Sequence, residues 1–127
     1  MKSLSFILIV MLAQFNVPDA EAQQTGPIVR LAKLVIDSAQ LESYKVLLKE
    51  GIETAVRVEP GVLTLFAVSE KDAPTHFTIL EIYASSDAYN QHLKTSHFLK
   101  YKNGTKDMVK SLELAETTPL IPDMKIK

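Results

Sequence analysis

The sequence predicts an α+β domain of ferredoxin-like β-α-β-β-α-β topology, and three observations support this. Four short segments rich in Val, Ile and Leu have the composition and length of strands. A long segment between the first two carries apolar residues at helical spacing. Further helical signal lies between the third and fourth. Elements in this order form one antiparallel sheet with the helices on one of its faces.

The first strand and the first helix are predicted from residues 28–58. Residues 28–36 are the strand, and Asp37 or Ser38 can cap the helix that follows. The helix should end near Val58, because Glu59-Pro60-Gly61 breaks it and turns the chain. Its apolar positions, three or four residues apart, are Leu41, Tyr44, Leu48, Ile52 and Ala55.

A hairpin is predicted next. Residues 62–69 and 76–84 are strands joined by a short polar turn, which makes them antiparallel neighbours. Apolar residues lie on both faces of these strands, although the helices can cover only one face. A second copy of the chain, packed sheet against sheet, is the economical cover, so we expect a homodimer.

The rest of the domain is a second helical region and a last strand. Ser85 or Ser86 can cap the helix. The helical signal continues in pieces to about Lys110, with a break expected near Asn103-Gly104, and residues 111–118 are the last strand.

The first 22 residues are predicted to be a signal peptide rather than part of the fold. Lys2 precedes an apolar run from Leu4 to Phe15, and Ala20-Glu21-Ala22 is a small-x-small cleavage signal before Gln23. The protein should therefore be exported, to the periplasm or outside the cell, with residues 23–127 as one domain with a short tail. No membrane association is expected after cleavage.

Charge and cysteine content exclude several classes of function. The mature chain would carry equal numbers of acidic and basic residues and no aromatic-basic patch, which disfavours nucleic-acid binding. The chain has no cysteine, so disulfides, a thiol nucleophile and a thiolate metal site are excluded.

Four motifs, in order, resemble the antibiotic biosynthesis monooxygenase family, small dimeric α+β barrels that include quinol monooxygenases. They are Glu59-Pro60-Gly61, Glu81-Ile82-Tyr83, Ser86-Asp87-Ala88 and the stretch from His92 to Phe98, which is similar to the family's His-x-x-[Ser/Thr]-x-His-Phe. The resemblance extends from residue 28 to about residue 114.

The resemblance implies cofactor-free chemistry on a quinol or related phenolic, with molecular oxygen as co-substrate. His92 and His97 are the catalytic candidates, since histidine is the usual general base near neutral pH. No metal site is expected, because two histidines five residues apart point in different directions on a continuous helix. Haem chemistry is disfavoured, since Lys102 stands where haem-degrading relatives have a histidine ligand. Side chains that could bind or orient the substrate are Tyr83, Asn90, Tyr101 and Glu81.

Each of these residues also has a purely structural interpretation. His92 could be a hydrogen-bonded packing residue and His97 a cap or surface residue. Glu81 lies on an apolar strand face, where the favoured interpretation is an ion pair with Arg30 or Lys33. The alternative to an enzyme is a non-catalytic dimeric barrel, a stress-related accessory that binds a small apolar ligand. A different reaction on the same fold, such as isomerisation or decarboxylation, is a third interpretation.

The signal-peptide prediction is tested by mass spectrometry of the exported protein. We expect an N-terminus at or near Gln23, produced by cleavage after Ala22. Recovery of the intact chain from the extracytoplasmic fraction would instead indicate an uncleaved anchor.

Overall fold

A computed structural model describes residues 26–122 of the chain. They form a four-stranded antiparallel sheet in the order β2-β3-β1-β4 with helices on one face. The predicted signal peptide lies outside the described residues. In chain order the elements are β1 (Ile28–Ile36), a 3₁₀ turn (Ser38–Gln40), α1 (Leu41–Val58), β2 (Val62–Ser69), β3 (His76–Tyr83), α2 (Ser86–His92), α3 (Ser96–Thr105) and β4 (Val109–Thr117).

The α+β ferredoxin-like prediction is confirmed. The bounds of β1 and β2 and the end of α1 agree with the sequence-based limits, and Ser85 caps α2 as predicted. Asp37 caps the 3₁₀ turn and not α1, whose N-cap is Gln40 without a side-chain hydrogen bond. The Asp37 carboxylate accepts a hydrogen bond from the Ala39 N–H, and the Ser85 hydroxyl accepts one from the Ala88 N–H. β4 begins at Val109, two residues before the predicted start.

The position of the helix break was predicted wrongly. α3 runs without interruption through Asn103-Gly104, and the break lies between His92 and Ser96. Thr95 makes this corner, because its hydroxyl donates to the His92 carbonyl at 2.8 Å and accepts from the Phe98 N–H at 3.2 Å. The side chain thus stabilises the end of one helix and the start of the next.

The pairing register decides which side chains of the sheet face the helices. Arg30 lies opposite Glu81 on one side of β1 and opposite Glu116 on the other. Alternation along the strands then places Ala32, Leu34 and their neighbours on this same face. The core is formed here by Ala32, Leu34, Ile36, Phe77 and Ile79 of the sheet against Tyr44 and Leu48 of α1.

The opposite face of the sheet remains apolar and accessible. Phe66 is 64% exposed and Val68 is 48% exposed on β2. Leu80, on β3, is the pairing partner of both Phe66 and Leu31, so apolar side chains continue across the sheet. Among residues 26–122 no helix is long and apolar enough to cross a membrane.

Gly61 allows α2 to pack closely on the turn before β2. A Cβ atom at this position would lie 2.5 Å from the Ala88 Cβ, well inside van der Waals contact. Because the Ala88 Cβ is attached directly to the helix backbone, a larger residue at 61 must displace α2 itself. Gly51 differs, since a Cβ there would meet the Tyr101 Cβ at an ordinary 3.5 Å.

We therefore expect opposite effects from the same substitution at these two glycines. Gly61→Ala should lower the free energy of unfolding by about 1–3 kcal/mol through overpacking. Gly51→Ala should raise it by up to about 1 kcal/mol, because alanine is the better helix former in the interior of α1. Urea denaturation of the two variants measures both changes, and equal destabilisation would contradict the close packing of α2.

Candidate active site

Two histidines and one glutamate meet at a buried point between the helices. His92 Nδ1 and His97 Nε2 each lie 2.7 Å from the same oxygen, Oε2 of Glu59. The side chains are 8%, 15% and 13% exposed, respectively. A carboxylate can only accept hydrogen bonds, so both imidazoles donate N–H to it. We call Glu59, His92 and His97 the Glu59 triad.

Local structure explains why the three residues converge. Glu59 follows the last residue of α1, and its backbone N–H still bonds to the Ala55 carbonyl at 3.0 Å. His92 is the last residue of α2 and His97 the second of α3. The Thr95 corner between these helices turns the chain, so the two imidazoles approach one acceptor despite their separation of five residues.

A cavity of about 560 Å³ lies between the sheet and the helices. Its wall is mostly aliphatic and aromatic, and His92 is part of it. The bond from Nδ1 to Glu59 fixes the imidazole and leaves Nε2 as the nitrogen available to a ligand. The rings of Tyr83 and Phe98 pack against this imidazole, with centroids 5.4 and 5.0 Å away.

Polar groups lie on the cavity wall close to His92. The Tyr83 hydroxyl donates to Glu81 Oε1 at 2.5 Å. Burial, together with the nearby Glu81 carboxylate, raises the pKa of Tyr83 far above its usual range, so this hydroxyl stays protonated and serves as a donor. The pair therefore presents a fixed carboxylate to whatever occupies the cavity.

Arg30 is paired differently from the sequence-based expectation. Its guanidinium contacts Glu116 of β4, with Nη2 2.5 Å from Oε1, and lies 4.2 Å from the centroid of the Tyr89 ring. Burial disfavours the charge of Arg30, but Tyr89 and Glu116 outweigh this cost and raise its pKa. The predicted ion pair of Glu81 with Arg30 or Lys33 is therefore wrong: Tyr83 is the partner of Glu81.

Tyr101 also lies on the cavity wall, but its hydroxyl is already engaged. It is 2.8 Å from the hydroxyl of Tyr44, which is fully buried in the core. Burial is the main cause that raises the pKa of both phenols. Tyr101 thus contributes its ring to the cavity wall, while its hydroxyl already has a partner in the core.

The structure brings together most of the residues proposed from sequence. The cavity wall includes His92, Tyr83, Tyr101 and Glu81. His97 joins the site through Glu59 and is not among the wall residues, whereas Asn90 is exposed on α2 and does not line the cavity.

Glu59 is the residue that sequence reasoning missed. The sequence places it in a helix-breaking turn and in a family-like motif, Glu59-Pro60-Gly61, but gives it no role in the site. Its position before a helix-breaking turn does not indicate that His92, 33 residues later in the chain, contacts it.

The Glu59 triad also corrects the argument about metal ligands. One ligand atom from each of the three residues can be chosen such that all lie within 4.8 Å of one another. His92 and His97 do not lie on one continuous helix, since the chain breaks at Thr95, so their separation of five residues does not keep the imidazoles apart. A carboxylate and two imidazoles are a donor set that suits several divalent transition metals, so these residues could hold one.

Comparison with known proteins places this site in a family. Residues 27–104, more than half of the chain, match the family model of antibiotic biosynthesis monooxygenases. The chain belongs to the antibiotic biosynthesis monooxygenase family. The matched range contains the entire Glu59 triad and most of the cavity wall. No curated protein matches the chain.

Solved structures agree with this assignment. A candidate antibiotic biosynthesis monooxygenase from Bacteroides thetaiotaomicron is 56% identical, with a TM-score of 0.79 over 80% of this chain and 97% of that one. A candidate monooxygenase from Lactobacillus acidophilus is 30% identical, with a TM-score of 0.71 over 73% of this chain and 44% of that one. A protein from Nitrosomonas europaea shares the fold at 22% identity, with a TM-score of 0.71 over 78% of this chain and 95% of that one.

Proposed function

We propose that the protein is a monooxygenase that oxidises a quinol or a related phenolic bound in the cavity, with His92 as the general base. The observation that carries the proposal is the position of His92. Its imidazole is buried on the cavity wall and is held through Nδ1 by the Glu59 carboxylate. Membership of the family supports the reaction type.

Glu59 gives His92 the orientation and the tautomer that a base needs. With Nδ1–H donated to the carboxylate, the lone pair of a neutral imidazole resides on Nε2. When Nε2 accepts a phenolic proton, the Glu59 carboxylate stabilises the imidazolium that forms. Glu59 is thus a positioning residue, and His97 in turn donates to Glu59 and fixes its carboxylate.

Deprotonation makes the substrate the reductant. A phenolate is electron-rich enough to reduce dioxygen, whereas the protonated phenol is much less reactive. For a hydroquinone the reaction is hydroquinone plus O₂ to 2-hydroxy-1,4-benzoquinone plus water. One oxygen atom enters the ring and the other leaves as water, and the substrate supplies all four electrons, so the balance needs no further reductant.

The remaining wall residues suit a ring with oxygen substituents. Aliphatic side chains such as Leu48, Ile52 and Ile79 offer a dry surface for the ring. The Glu81 carboxylate, held by Tyr83, can accept a hydrogen bond from a second hydroxyl group. A bound ring that displaces water from this wall would also strengthen the interaction between the phenolate and the imidazolium.

Two histidine variants test the base. His92→Ala and His97→Ala each remove one donor to Glu59, so we expect similar losses of thermal stability. Only His92→Ala should remove proton transfer, with a fall in kcat of roughly 10²–10⁴, the usual contribution of a positioned base. Oxygen consumption with a hydroquinone gives kcat, and thermal unfolding gives stability.

The same experiment separates the competing interpretations. A larger loss of kcat in His97→Ala would assign the base to His97. Full activity per folded molecule in His92→Ala would show that His92 is a packing residue and not the base. That result would favour the ligand-binding interpretation. Activity should survive exhaustive chelation, and loss of activity that one specific metal restores would instead assign the Glu59 triad as metal ligands.

The accessible face of the sheet supports a homodimer as the working form. Phe66 and Val68 are large apolar side chains that the described chain leaves in solvent. Contact with the same face of a second copy would bury them symmetrically. An obligate interface of this kind should bury roughly 2,000 Å² or more.

A charge on this face should dissociate the dimer. Phe66→Glu places a carboxylate in the proposed interface and should give a monomer in light scattering at micromolar concentration. Val46→Glu is the matched control, since Val46 is 65% exposed on α1, away from the sheet. A wild-type protein that is already monomeric would refute the dimer.

A further inference from the structure

The charges on the cavity wall are strongly unbalanced. Arg30 and three lysines, Lys102, Lys106 and Lys110, contribute to the wall, against one carboxylate, Glu81. The chain as a whole has a formal net charge of −1. The positive bias is therefore a property of the cavity rather than of the protein.

The other two charged wall residues, Arg30 and Glu81, already have close polar partners, whereas the three lysines are in no ion pair of the described part of the chain. Arg30 is paired with Glu116, and Glu81 accepts from Tyr83. Within residues 26–122 the lysines that form ion pairs within 4 Å are Lys45, Lys49 and Lys100. The ammonium groups of Lys102, Lys106 and Lys110 are in none of these pairs.

One acidic residue, Asp37, interacts electrostatically with Lys110. The charge of Lys110 contributes to the lowered pKa of Asp37, but hydrogen bonds from Ala39 and Gln40 are the larger causes. The Asp37 carboxylate is thus already hydrogen-bonded to the 3₁₀ turn that precedes α1, and Asp37 is not a wall residue. Asp37 therefore does not neutralise Lys102, Lys106 and Lys110, which together keep a net positive charge.

Lys106 and Lys110 lie far from His92 along the cavity, and Lys102 lies between, about one helical turn from Phe98. Lys102 is in the last turn of α3, Lys106 follows the helix, and Lys110 is at the start of β4. Eight residues separate Phe98, beside His92, from Lys106, which is roughly 12 Å of helix at 1.5 Å per residue. Along the sheet, Arg30 and the Ile36–Val109 pair are six residues apart, which is roughly 20 Å at 3.4 Å per residue.

The wall between the two ends is apolar. Leu112 and Leu114 of β4 lie opposite Leu34 and Ala32 of β1 and are 56% and 51% exposed, because the helices do not extend over β4. Both residues line the cavity. A ligand that lies along this wall would bury them.

We infer that the cavity takes an elongated amphipathic anion, with an apolar body along β4 and a carboxylate or sulfonate at Lys102, Lys106 and Lys110. Its other end reaches His92, and only the chemistry at that end rests on the proposed function. The cationic end would both hold the acid group and draw anions toward the opening. This distinguishes the substrate class from neutral quinols of the same size.

The test uses two fluorescent probes with the same aromatic body. 8-Anilinonaphthalene-1-sulfonate carries one negative charge, and N-phenyl-1-naphthylamine lacks the sulfonate. In the triple variant Lys102→Gln, Lys106→Gln, Lys110→Gln the Kd of the sulfonate should rise roughly tenfold, while the Kd of the neutral probe should change less than twofold. Raising NaCl from about 0.05 to 0.5 M should weaken binding of the sulfonate probe to the wild-type protein but not to the triple variant.

A second triple variant controls for net charge. Lys45→Gln, Lys49→Gln, Lys71→Gln removes the same charge away from the cavity and should leave both Kd values within twofold. Equal weakening by both triple variants, unchanged sulfonate affinity in the cavity variant, or absence of sulfonate binding to wild type would each overturn the inference. Altered stability with unchanged binding would show that the lysines only complement the C-terminal end of α3.

Activity measurements separate this inference from the proposed function. If the probe contrast holds and no phenolic is oxidised, the protein binds acidic amphiphiles and the oxygenase proposal fails. If phenolics with and without an acid group are oxidised with the same kcat/KM by wild type and by the cavity triple variant, the oxygenase proposal stands and the anion site fails.

Discussion

Hydrogen bonds to one carboxylate oxygen hold the helical layer of this protein together. Glu59 Oε2 accepts from His92 and His97, and through them it connects the end of α1 to both helices of the second helical region. A buried carboxylate is costly unless it is hydrogen-bonded or paired, so the three groups depend on one another. Removing either imidazole leaves the carboxylate with one partner fewer, which links the stability of the helical layer to the geometry of the site.

The same network connects fold to chemistry. The Thr95 corner separates α2 from α3, and close packing at Gly61 presses α2 onto the start of β2. Together they bring His92 to the cavity wall with Nδ1 occupied. The cavity lies between the helices and the sheet, and its wall reaches β4, where Leu112 and Leu114 remain half exposed. The wall includes both His92 and the three lysines.

Much of the architecture followed from local sequence. Period-two and period-3.6 apolar patterns located the strands and α1, and the short polar link between β2 and β3 predicted that these two strands pair. The family motifs carried the resemblance to antibiotic biosynthesis monooxygenases. The helix break was misplaced because Asn-Gly is a stronger local breaker than Lys-Thr-Ser, yet α3 packs Gly104 against Leu47 and continues through it.

Local sequence was sufficient to predict most of the elements and their order, and to select His92 and His97 as candidate site residues, since these inferences depend on neighbours along the chain. Three features became visible only in the folded chain: the bonds from His92 and His97 to Glu59, the bond of Glu81 to Tyr83 rather than Arg30, and the wall that three lysines share with His92. These are contacts between residues distant in sequence, and the spacing of residues carries no information about which side chains meet across a packed interior.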